Sequence, residues 1–105
     1  MNELMRGAVR LHVLHHASQD PVHGAWMAAE LERHGYRISP GTLYPTLHRM
    51  EAEALLASDK VVVDGRTRRV YRATTAGRDA LAEGILALKE MAHELLGVPR
   101  DQLQS

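Results

Sequence analysis

Ser39-Pro-Gly-Thr-Leu-Tyr-Pro-Thr-Leu-His-Arg-Met-Glu-Ala-Glu-Ala-Leu-Leu56 is the stretch on which the fold turns. Ser39 suits an N-cap and Pro40 the first helical position, where a missing N–H costs little. Leu43, Leu47, Met50 and Ala54 recur at helical spacing and form one apolar stripe. Gly41, Thr42, Pro45, Thr46, His48 and Arg49 face elsewhere. Pro45 gives up its backbone bond to Gly41, a cost reduced by its closeness to the helix start. A front turn this small lets backbone approach a groove, and the free N–H groups there attract phosphate. Thr42, Tyr44 and Thr46 can bond phosphate oxygens or base edges; His48 and Arg49 can reach either.

Upstream, Leu4 to Ala17 reads as a first helix with Leu4, Ala8, Leu11 and Leu14 as its apolar stripe. Ser18-Gln-Asp-Pro21 ends it. Asp20 suits a cap for the next helix and Pro21 its first turn. That second helix runs to about Arg33 through Trp26, Met27, Glu30 and Leu31, and Gly35 stops it. Two short helices joined by a turn, the second well marked, form a helix-turn-helix.

Downstream, the period changes from Leu55 to Val63, and Asp64-Gly65 follows directly. Asp-Gly between two strand-like runs predicts a hairpin with a type I′ turn. Thr67 to Thr74 is the return strand. The result is a two-stranded wing with Arg66, Arg68 and Arg69 at its tip, suited to minor-groove or backbone contact. Thr75 caps a last helix from about Ala76 to Leu96. Leu81, Ile85, Leu88, Ala92 and Leu95 follow a heptad seam that calls for a second copy of the helix. The expected fold is mainly α with a small β-hairpin: a winged helix-turn-helix over residues 1–75, a dimerisation helix over 76–97 and a flexible tail over 98–105.

Composition bounds the chemistry. A chain of 105 residues fits one domain. The absence of cysteine removes disulfides, thiolate metal sites and a cysteine nucleophile, and fits a reducing cytoplasm. No window approaches the roughly 18 apolar residues of a membrane span, and the first residues lack the pattern of a signal peptide. Basic and acidic residues balance at 13 each, which counts mildly against a nucleic-acid binder. Their distribution is uneven, however: Lys60, Arg66, Arg68, Arg69 and Arg72 face only Asp64 in the wing region.

The chain resembles the PadR family of transcriptional regulators, in its short form with a single C-terminal helix. The match rests on His23-Gly24, on Ser39 to Glu51 with its Gly-Thr-Leu-Tyr-Pro run, and on Arg69-Val-Tyr-Arg-Ala-Thr-Thr-Ala-Gly77. It spans Leu4 to Leu96, with Gly-Thr-Leu-Tyr-Pro its most specific part. The resemblance implies a winged helix-turn-helix, a dimer through the last helix, repression of a nearby operon, and a helix carrying Thr42, Tyr44 and Pro45 that enters the major groove. Where the family often has Tyr after His-Gly, this chain has Ala25-Trp26. The last helix carries no aromatic residue on which a planar drug could stack.

Seven histidines are many for this length. His12 and His16 stand at i and i+4, the spacing of helical zinc pairs. Without thiolates, such a site would take a borderline metal such as zinc, cadmium or nickel as effector. A third ligand is expected from elsewhere, with Glu94 or His93 of a partner's last helix as candidates. The rival reading is a structural or pH-responsive role.

The leading expectation is therefore a cytoplasmic homodimeric repressor on double-stranded DNA, released by a small molecule or metal ion, with no cofactor required. Its operator would be an inverted repeat with half-sites about one helical turn apart. Ser39, Gly41, Thr42, Tyr44, Pro45, His48, Arg49, Arg66, Arg68 and Arg69 are the candidate DNA contacts. The alternative is a winged-helix protein-interaction module without DNA binding. An enzyme is a distant third, since no nucleophile–base spacing or phosphate loop stands out.

Overall fold

In the computed structural model, which describes residues 1–104, the helices start and stop where local chemistry permits. Helix α1 (Glu3–Gln19) opens on Asn2, whose side chain accepts the Met5 N–H at 2.8 Å. It buries Val9, Val13, Leu14 and Ala17. It shares Leu14 with the stripe read from the sequence, but Leu4 is 67% exposed. Ala8 and Leu11 are half-buried and turn toward the last helix. The helix has two apolar faces, and the regular pattern mixes Leu14 of the core face with Ala8 and Leu11 of the other.

Asp20 does not cap the second helix. It closes α1 by donating its N–H to His16 O at 3.2 Å. Val22–His23 then forms a short strand, β1, and α2 (Gly24–Arg33) begins after it with His23 at the cap. Met27 and Leu31 are fully buried on α2. Gly35, at φ +92°, ends the helix: Tyr36 N–H reaches Leu31 O and Gly35 N–H reaches Glu32 O, both at 2.9 Å. This is a Schellman close with glycine in the left-handed position.

Helix α3 (Pro40–Ala52) has Ser39 as N-cap and Pro40 at its first position, as the sequence predicts. Ser39 caps through its backbone carbonyl, which accepts Thr42 and Leu43 N–H; its hydroxyl donates to Thr42 Oγ1 instead. Leu43, Leu47 and Met50 are at most 1% exposed. Burying each stabilises the fold by about 1.5–3 kcal/mol. Ala54 is not part of that stripe. It lies past the helix end, exposed, at φ +62°. There Leu55 N–H reaches Met50 O and Ala54 N–H reaches Glu51 O, a second Schellman close with alanine where glycine is usual.

Strands β2 (Leu56–Val63) and β3 (Arg66–Ala73) pair antiparallel around Asp64-Gly65, whose φ values of 52° and 76° are those of a type I′ turn. The wing is wider than the expected two strands. β1 pairs with β3 through Val22–Tyr71 and His23–Val70, giving the order β1-β3-β2. These two residues cover β3's free edge only at Val70 and Tyr71, and the chain is extended where Asp20-Pro21 signals a helix start.

Thr74, not Thr75, caps α4 (Thr75–Leu96), accepting Gly77 N–H at 3.0 Å. The same hydroxyl donates to Ala54 O at 2.6 Å, and Thr74 N–H reaches Leu55 O at 3.1 Å. Beyond Gly97, the stretch read as a frayed tail folds back as a 3-10 turn, Arg100–Leu103, with Arg100 Nη1 2.7 Å from Glu90 Oε2. Ser105, the end of that tail, lies outside the described residues. The core joins α1, α2 and α3 to Leu56, Tyr71 and Ala73 of the sheet. No helix among the described residues is long and apolar enough to cross a membrane.

Candidate nucleic-acid interface

The stripe that buries Leu43, Leu47 and Met50 turns the opposite side of α3 outward. Gly41, Thr42, Tyr44, Pro45, His48 and Arg49 are all exposed there. They form a ridge between two depressions. On one side, Gly41, Thr42, Pro45, Thr46 and Arg49 face Arg6 and Arg10 of α1. On the other, Tyr44 faces His23, Gly24, Arg68 and Arg69. Arg6 and Arg10 were missed in the sequence, although their i, i+4 spacing places both on one helix face. Arg10 is held by Glu53, 2.8 Å away.

Tyr44 owes its place to Gly24. A Cβ at position 24 would stand 2.5 Å from Tyr44 Cε1 and 2.9 Å from its hydroxyl. The His-Gly pair and the Leu-Tyr-Pro run therefore meet in space, one clearing room for the other. Thr46 spends its hydroxyl on Thr42 O at 2.8 Å, which braces the turn after Pro45.

The three wing arginines do not act as one tip. Arg66 is paired with Val63 beside the turn, whereas Arg69 pairs with Lys60 further down. Arg69 Nη1 donates to Ser58 Oγ at 2.7 Å, and Ser58 in turn donates to Glu51 of α3. Alternation along a strand puts Arg66 and Arg68 on one face and Arg69 on the other, with Tyr71. Arg72 is tied to Asp59 at 3.3 Å. The two arginines not engaged in these wing contacts are thus Arg66 and Arg68.

On α4, Leu88 is 55% and Leu95 71% exposed, with Ile85 also exposed and Leu81 and Ala92 half-buried. Ala8, Leu11, Leu81, Ile85 and Leu88 line a shared apolar trough between α1 and α4. Gly84 admits Leu11, since a Cβ there would lie 2.4 Å from Leu11 Cδ2.

A histidine cluster adjoins that trough, which His12 and Tyr36 also line. His12 and His16 meet His34, just past α2, and one ligand atom from each lies within 4.8 Å of the others. A third imidazole is thus present within the same chain, where the sequence alone points to His93 or Glu94 of a partner. His93 is engaged elsewhere, its Nδ1 3.0 Å from Val98 O. His34 stands beside the helix-ending Gly35, and no local spacing links it to α1. Burial first, and neighbouring imidazoles second, hold both His12 and His16 below the usual histidine pKa.

With this geometry in view, comparison with known proteins is decisive. The model of the transcriptional regulator PadR-like family matches residues 13–83. The chain belongs to the PadR-like family. It is 67% identical over 97 residues to the transcriptional regulator Rv3488 of Mycobacterium tuberculosis, covering 92% of this chain and 91% of that one. A PadR family regulator from Eggerthella lenta superposes with a TM-score of 0.75 at 33% identity, over 90% of this chain and 83% of that one. A transcriptional regulator from Streptococcus reaches a TM-score of 0.85 at 20% identity, covering 92% and 97%, and speaks for the fold alone. PadR-like regulators are non-enzymatic DNA-binding proteins, and this chain is a PadR-like transcriptional regulator.

Proposed function

We propose that this PadR-like chain is a homodimeric, sequence-specific repressor whose α3 enters the major groove of an inverted-repeat operator and whose grip is released by an effector. The carrying observation is the exposed ridge of α3, flanked by arginines of α1 on one side and of the wing on the other. In this reading Gly41 and Pro45 bring backbone close to the groove, while Thr42, Tyr44, His48 and Arg49 meet bases and phosphates. Ser39 fixes the start of that helix. Arg66 and Arg68 contact the flanking backbone or minor groove, and Arg69 holds the wing against α3 through Ser58 and Glu51. The dimer is supported by the exposed Ile85, Leu88 and Leu95 of the α4 seam, apolar residues of a kind that marks an interaction surface.

Fluorescence anisotropy with the DNA upstream of its own gene, across a salt series, tests this. Affinity is expected to fall steeply with salt, and each of Arg66→Ala and Arg68→Ala to reduce the log–log slope by about 0.9. Arg69→Ala should change the slope less, because its guanidinium is already engaged. Absence of binding at low salt would refute the repressor reading and favour a protein-interaction role.

A further inference from the structure

We infer that His12, His16 and His34, backed by Glu30, form a divalent transition-metal site that ties α1 to the C-terminal end of α2. Two imidazoles one turn apart on a helix converge with a third from another element, and each places one candidate ligand atom within 4.8 Å of the rest. Zinc with three nitrogens at about 2.1 Å needs them about 3.4 Å apart, so side-chain rotations of about an ångström close the site.

The rings are already gathered and aligned. His12 stacks on His34 with centroids 5.1 Å apart, and Tyr36 meets His12 edge-on at 5.1 Å. Trp26 meets His16 edge-on at 5.2 Å. These walls limit how far the imidazoles can swing away. His16 Nε2 is buried without a hydrogen-bond partner, a desolvated lone pair or N–H that nothing in the protein satisfies. Three imidazoles side by side repel one another when charged. As neutral ligands they converge their lone pairs, which a divalent cation accepts.

Glu30 supplies the orienting carboxylate. Its Oε1 lies 3.2 Å from His34 Nε2, while Arg33 anchors the same oxygen. A bond from His34 Nε2–H to Glu30 leaves Nδ1 as the free lone pair, the arrangement that fixes tautomer and ring angle in metal sites. An all-nitrogen set with no thiolate suits zinc, nickel, cobalt or copper and disfavours calcium and magnesium, which take oxygen ligands.

The position of the site gives it a regulatory consequence, which rests on the DNA-binding reading above. Helix α2 seats Tyr44 of α3 through Gly24, and α1 seats α4 through Leu11 and Gly84. A metal bridging α1 and α2 therefore links the recognition helix to the seam-bearing helix. Metal and DNA then alter each other's affinity by the same factor.

The test uses the full chain, purified in chelator. Cobalt(II) titration should give intense tetrahedral absorption bands saturating at one ion per chain. Zinc calorimetry should give the same stoichiometry. His34→Ala, and His12→Ala with His16→Ala, should abolish the bands and weaken zinc by about 100-fold or more. His93→Ala should change neither. Thermal melts in chelator check folding, with His34→Asn as the substitute if the alanine variant does not fold. Wild-type affinity in the His34 variant, or an equal loss in His93→Ala, overturns the site. Anisotropy on upstream DNA should show an affinity changed about 5–150-fold by zinc, in either direction. Equal DNA affinity with and without zinc overturns the coupling and leaves the metal titration to stand by itself. No DNA binding in either state refutes the repressor reading instead.

Discussion

Gly24 and Ala54 show how single positions set the geometry of α3. Gly24→Ala pushes a methyl into Tyr44, which is only part-buried and can swing outward rather than disturb the core. Folding should survive, with a thermal midpoint within a few degrees of wild type. Affinity for upstream DNA should fall about 10-fold, the equivalent of one lost hydrogen bond; an unchanged affinity in anisotropy would remove Tyr44 from the contact set. Ala54→Gly should act in the opposite sense and on stability. The left-handed conformation of Ala54 costs about 1 kcal/mol that glycine does not incur, so the urea midpoint should rise accordingly. Neither position was readable alone. Gly24 entered only as part of a motif whose partner is twenty residues away, and Ala54 happened to continue the spacing of Leu43, Leu47 and Met50.

At the level of elements, the most informative junction is the one between α3, the sheet and α4. Thr74 serves both Ala54 O and Gly77 N–H, and a Cβ at Gly77 would lie 2.1 Å from Leu55 O. Thr74→Val keeps the shape and removes both bonds; it should cost about 2 kcal/mol in urea unfolding. The Arg69–Gly77 motif is thereby explained: Tyr71 fills the core, Thr74 closes the junction and Gly77 lets the start of α4 touch Leu55. The hairpin was legible because Asp-Gly has a narrow conformational meaning. Strand β1 was not, because two residues are too short to show a period. The core face of α1 was obscured by a second apolar face that shares its repeat. The third histidine was hidden because contact between α1 and the end of α2 is a tertiary fact, absent from local spacing.

On the scale of the whole molecule, the longest dimension of 51 Å against 28 and 23 Å reflects α4, about 33 Å long, standing out from the domain. Its exposed leucines are the reason to expect a pair of chains. Leu88→Glu should yield monomers in sedimentation velocity and weaken operator binding far more than a rim charge would; a persistent dimer would move the interface off this seam. Thr74 has a further consequence at this scale. The chain leaves at Ala54 and returns at Thr74, 20 positions later, to the same spot, and one hydroxyl fastens the two ends. The wing is thus a cassette plugged into a socket. Its outer end can gain or lose residue pairs around Asp64-Gly65 while the spacing between α3 and α4 stays as it is. Reach along DNA and separation of the half-sites can then evolve, or be engineered, as independent variables.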